Sequence, residues 1–165
     1  MPKAGGAALP AILEMMMREQ IDGALKQATL DQDRKRINTL RLIKTTIRDR
    51  DAADKKAGGE GVSEDDVVAI LLKMIQQRIE SAKSFAAKGR EDLVQEELLE
   101  IEIIKSFLPR QLDEDEMRQV CVQAIRENDA HGLRDLGRCM QTLKERYPGQ
   151  MDLGKAIQIV KQQLQ

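Results

Sequence analysis

Residues 63–88, SEDDVVAILLKMIQQRIESAKSFAAK, decide the class of fold. At roughly 100° per residue, Val67, Val68, Leu71, Met74, Ile75, Ile79, Ala82 and Phe85 fall on one wide apolar arc, the pattern of a helix with a buried face. Ser63 can cap the free amides of the first turn, and Glu64, Asp65 and Asp66 put negative charge where the helix dipole favours it. Gly89 ends the run, because glycine adopts the left-handed conformation of a helix C-terminus at little cost.

The same punctuation continues in both directions. Upstream, helical periodicity runs from about Met17 to Leu30, breaks near Asp31, and resumes from about Asp33 into the fifties. Ile37, Leu40, Ile43 and Ile47 share a face there. The run AGGEG at 57–61 is a loop. Downstream, a helix is expected from about Arg90 to Leu108, before Pro109. Three shorter helices follow, near 113–127, 132–146 and 152–164. Asp113, with Glu116 three residues on, resembles a capping box, and Asn128 to Gly132 and Pro148-Gly149 supply turns. The reading is all-α: a four-helix part over 17–108, a three-helix tail over 109–165, and a flexible extension over 1–16.

Composition agrees. Of 165 residues 2% are aromatic and 33% are charged, with helix formers dominant. A sheet protein of this size would use more β-branched and aromatic residues. The net charge of −1 gives the chain no overall field toward nucleic acid or an anionic membrane, so any such binding must be local. No apolar run reaches the roughly 18 residues of a spanning helix. Cys121 and Cys139 lack paired spacing and, with a single histidine, cannot supply four zinc ligands, so two reduced, buried thiols are expected. These features suit the cytoplasm, with an organelle transit peptide at the N-terminus as the lesser alternative.

Charge is uneven along the chain. From Asp33 to Lys56 there are nine basic residues against four acids. Arg34, Arg41, Lys44 and Arg48 are expected in one stripe beside the apolar face, where they could track phosphates. The competing expectation is a solvated face that pairs with the acidic helices after Ser63. Two further charges fall inside apolar arcs: Arg78 on the helix after Ser63, and Glu97, with Glu100 at the arc's edge, on the next helix, whose buried face is read as Leu93, Val94, Leu98, Ile101 and Ile104. Isolated buried charges cost several kcal/mol. Arg78 is therefore expected to meet Glu97, Glu100 or both across an antiparallel pair, as a structural contact.

No catalytic constellation assembles. The 57–61 loop lacks the Lys-Ser/Thr of a phosphate loop and no strand precedes it, His131 sits in a turn, and no Glu-x-x-His pattern marks a di-iron bundle. No metal, cofactor or catalytic residue is expected. Gly137, read as mid-helix, is ascribed to close helix packing.

Specific runs resemble a known family. RINTLRLI at 36–43, KMIQQRIES at 73–81, GREDL at 89–93, FLPRQL at 107–112, LRDLGRCM at 133–140, and DLGKA at 152–156 leading into Val160-Lys161 are similar, in order and spacing, to the YqeY family of GatB/YqeY-domain proteins. The resemblance covers about Met17 to Leu164. It implies a tail similar to that of the B subunit of tRNA-dependent amidotransferase, which contacts the body of tRNA. It does not extend to that glutamine-dependent carbon–nitrogen ligase's chemical machinery, so activity of this chain alone is not expected. The resemblance places Arg134, Arg138, Lys144, Lys155 and Lys161 as tail positions that could face tRNA. The tail has nine basic and nine acidic residues, so only a one-sided distribution would serve. The expectation is a non-catalytic tRNA-binding or amidotransferase-associated protein, with tRNA and the amidotransferase or aminoacyl-tRNA synthetase machinery as partners. The alternative is a helical protein-interaction adaptor with no RNA role.

Overall fold

A computed structural model describes residues 17–165, and the extension expected over 1–16 lies outside the described residues. The described chain is all-α. Its seven helices are α1 Met17–Leu30, α2 Arg34–Lys56, α3 Glu64–Ala87, α4 Glu91–Lys105, α5 Glu114–Glu127, α6 Leu136–Arg146 and α7 Leu153–Leu164, with a 3-10 turn at Leu133–Asp135 before α6. The described residues divide into two compact units, with the boundary between Leu108 and Pro109.

Local chemistry sets the ends of these helices. The α1–α2 turn passes through Gln32 at φ +55°, and Asp33 caps α2 by accepting from the Arg36 amide at 3.1 Å. Ser63 and Asp66 close a reciprocal capping box on α3, and Asp113 and Glu116 do the same on α5, each satisfying amides that a helix start leaves open. Gly89 sits at φ +71° after α3, a conformation that a side chain would resist.

In the first unit α1 pairs with α2 and α3 pairs extensively with α4, while α2 also packs on α3 and α4. Ile21, Leu40, Ile43, Val67, Leu71 and Ile104 are almost fully buried at the centre. The buried face of α4 differs from its expected one. Ile101, Ile103 and Ile104 are buried, whereas Leu98 is 43% exposed. Leu98 is six residues from Ile104 and so lies roughly 120° around the helix from it. Ile103 is 6% exposed, in a helix that packs on α2 as well as on α3.

In the tail α5, α6 and α7 pack pairwise around Cys121, Ala124, Cys139, Leu143, Ala156 and Val160. The expected helix over 132–146 is two elements. The Asp135 carboxylate accepts from the amides of His131 at 2.9 Å and Gly132 at 3.3 Å, folding the chain into the 3-10 turn from which α6 starts. Gly137 therefore lies in the first turn of α6, exposed, with nothing within 4 Å of where a Cβ would stand. Close helix packing is not its role.

Among the described residues no helix is long and apolar enough to cross a membrane.

Candidate nucleic-acid interface

Residues 34–48 of α2 contain six cations and no carboxylate. Folding sorts the cations. Lys35 reaches Glu96 of α4 at 3.6 Å, Lys44 reaches Asp22 of α1 at 2.8 Å, and Arg36 is half-buried. Arg34, Arg41 and Arg48 are exposed and form no ion pair with another described residue. They recur every seven residues, hence about 10 Å apart along one edge of the helix. Asn38 and Thr45, also exposed, fall between them. Lys44 does not join this row: it lies roughly 60° around from Arg41, toward α1.

Lys44 and Arg48 border a shallow cleft of about 180 Å³ between α1 and α2, with Arg18, Ile21, Asp22, Ile47 and Asp51. Its charges are largely matched internally. Arg18 donates to both Asp51 oxygens, at 2.8 and 3.0 Å, and to the Val62 carbonyl at 2.9 Å. Asp51 also accepts from the Val62 amide at 2.9 Å. The Arg18 guanidinium, with help from that amide, holds the Asp51 carboxyl down at about 2. Asp54 accepts from the Gly61 amide at 2.9 Å. The amides of Gly58 and Gly59 donate to the Lys55 and Asp54 carbonyls, and those of Gly61 and Val62 to the Asp54 and Asp51 carboxylates, so these amides are not turned out to cradle a phosphate. A Cβ on Gly59 would come within 2.1 Å of Asp54 Oδ2, so a side chain there would displace the carboxylate that accepts from Gly61.

Arg78 and the two α4 glutamates form a second polar node. Arg78 donates Nε to Glu100 Oε2 at 3.0 Å and Nη1 to its own Met74 carbonyl at 3.0 Å, with a side chain 11% exposed. Glu97 makes no such hydrogen bond with Arg78. Burial, and then the neighbouring Glu100 carboxylate, pushes its pKa up.

The five tail cations are not brought together in one row. Arg134 is exposed on the 3-10 turn, and Lys144, Lys155 and Lys161 are exposed on α6 and α7. Arg138 and Lys144 are six residues apart, as are Lys155 and Lys161, so each pair diverges by roughly 120° around its helix. Arg138 is also engaged, donating to Asp135 at 2.6 Å. The His131 amide, then Arg138, hold the Asp135 carboxyl down at about 2. Lys155 borders a groove of about 560 Å³ between α5 and α7 with Glu114, Arg118, Gln158 and Gln162, a mixed lining of cations, acid and carboxamides.

Asp135 and Arg18 are the organising residues that sequence reasoning missed. The aspartate had a legible signal, standing three residues after Gly132 at a helix start. Arg18 had none, because its partner is 33 positions away.

Among the described residues no three His, Cys, Asp or Glu side chains gather as a metal site. Burial raises the thiol of Cys121 to about 11 and that of Cys139 above its usual value, the reverse of what a nucleophilic cysteine needs. What the fold presents is an all-α, two-unit chain with an exposed row of three arginines on α2.

That class has a family. The one described as Yqey-like protein matches residues 18–164, and the chain belongs to it. Similar curated proteins include three fungal ones, each named altered inheritance of mitochondria protein 41, mitochondrial. The Clavispora lusitaniae protein is 30% identical over 129 residues, covering 75% of this chain and 72% of that protein. The Meyerozyma guilliermondii protein is 31% identical over 122 residues, or 66% and 65%. The Eremothecium gossypii protein is 34% identical over 86 residues, or 51% and 44%.

Proposed function

We propose that this chain is a non-catalytic RNA-binding protein that associates with tRNA or with the machinery that amidates it. The observation that carries the reading is the row Arg34, Arg41, Arg48, exposed on a stretch of α2 that contains no carboxylate. Phosphate contacts of this kind supply affinity without sequence choice. The family's resemblance to the amidotransferase tail supports tRNA as the RNA. In the tail itself the support is thinner, since Arg138 is already paired and the other cations diverge. Lys155, beside Arg118 in the α5–α7 groove, is the tail contact that the geometry favours.

Filter retention of total tRNA by the full chain tests this. Retention is expected at 50 mM salt and should fall steeply by 200 mM, with Arg41→Glu weakening it several-fold. Arg138→Glu is a poor probe, because it also breaks the contact with Asp135. No tRNA retained at low salt, with protein partners recovered instead, would replace this reading with the adaptor. Exposed Leu30, Leu42, Leu98 and Leu99 are where such a partner would be sought. Amidation of misacylated tRNA by the purified chain alone would overturn the non-catalytic assignment. We place the protein in the cytoplasm; the mitochondrial names of the fungal relatives supply the alternative address, which imaging of the tagged full chain decides.

A further inference from the structure

We propose that the α2 row docks on the phosphate backbone of double-helical RNA and not on an unpaired strand. This rests on the RNA-binding reading and names the form of RNA that the row takes. The first ground is rigidity. Arg34, Arg41 and Arg48 are fixed on one edge of a 23-residue helix that is held by packing on α1, α3 and α4. They span about 21 Å with two regular intervals of about 10 Å. A duplex offers phosphates densely and in fixed register along such a line, whereas a flexible strand must lose conformational freedom to match it.

The second ground is the lack of a stacking platform. Proteins that hold unpaired strands stack bases mainly on exposed aromatic side chains, with arginine planes as a supplement. This chain has two phenylalanines, one tyrosine and no tryptophan. Phe85 is half-buried, Phe107 packs on the first core, and Tyr147 packs on the tail core. What lies between the arginines is Asn38 and Thr45, short side chains suited to phosphate oxygens and ribose hydroxyls.

The third ground is how the fold sorts its cations. Lys35 and Lys44, the two that could have broadened the row into a patch, are tied to Glu96 and Asp22. A narrow line of arginines remains, each able to grip one phosphate through two N–H groups.

The test measures fluorescence anisotropy of the full chain with a labelled RNA duplex of about 20 base pairs and with a non-pairing RNA strand of about 20 nucleotides, across salt. The duplex is expected to bind at least tenfold more tightly. Arg34→Ala, Arg41→Ala and Arg48→Ala combined should lower the slope of log K against log salt by about 2 to 3, since each lost phosphate contact removes roughly 0.7 to 0.9. All three positions are exposed, and unchanged helical circular dichroism will show that the variant is folded. Equal affinity for strand and duplex overturns the proposal, as does an unchanged slope in the triple variant. If wild type retains tRNA and the triple variant retains it equally, RNA binding stands and this placement falls. If wild type retains no RNA of any form, both fall.

Discussion

Arg18 and Asp51, 33 residues apart, join at 2.8 and 3.0 Å, and both grip the backbone of Val62. One contact therefore ties the start of α1 to the end of α2 and to the loop that leads into α3. Replacing Asp51 by Ala removes both carboxylate contacts of a half-buried guanidinium, which keeps the Val62 carbonyl and Glu64 at 3.9 Å, and frees the Val62 amide. Charged hydrogen bonds contribute about 1.5–3 kcal/mol each way of counting, so a loss of about 2 kcal/mol is expected. Denaturant unfolding monitored by circular dichroism measures it. An Asp51→Ala protein as stable as wild type would show that the loop is held by other means.

Acid sensitivity follows from Asp51 and Asp135, whose carboxyls are both lowered from 3.8 to about 2. A carboxyl lowered by folding contributes stability that is complete above its unfolded value and is lost as pH falls through the folded one. In the denaturation midpoint, the stability that these two carboxyls supply should thus be complete above pH 5 and decline between about pH 4 and 2. Asp51→Asn and Asp135→Asn should each start lower and flatten part of that decline.

The contact of Arg78 with Glu100 predicts a coupling. Arg78→Met leaves Glu100 and the raised Glu97 without their cation between α3 and α4, and should cost about 1–3 kcal/mol. Arg78→Met combined with Glu100→Leu should cost less than the two single changes added together. Strict additivity in the double-mutant cycle would mean that the 3.0 Å contact carries no interaction energy.

Two glycines should respond in opposite directions. Gly137→Ala adds a methyl to an exposed helical position with open space around it, and is expected to raise the stability of the tail by about 0.5–1 kcal/mol. Gly59→Ala drives a methyl into the Asp54 carboxylate, and is expected to loosen the loop, read as faster proteolysis between 57 and 62.

Cys121 and Cys139 should resist a thiol reagent at pH 8 in the native protein and react promptly once it is denatured. Both are fully buried, and burial keeps the thiolate scarce. Prompt labelling of the native protein would instead report frequent opening of the tail.

Periodicity and punctuation in the sequence determined the helices, because a 3.6-residue repeat and a capping residue are local properties. Ser63 with Asp66, and Asp113 with Glu116, need only their own neighbours to act. Which cations stay free was decided by tertiary structure alone. Lys44 falls in the same stretch without carboxylates as Arg41 and Arg48, yet α1 brings Asp22 to it and leaves the arginines in solvent. The α4 face is a tertiary outcome too: Ile103 is buried and Leu98 is exposed on a helix that packs against both α2 and α3. The arginine at 78 announced in the sequence that a charge sat on an apolar face, but the choice of Glu100 over Glu97 for its hydrogen bond was made by the register of α3 against α4.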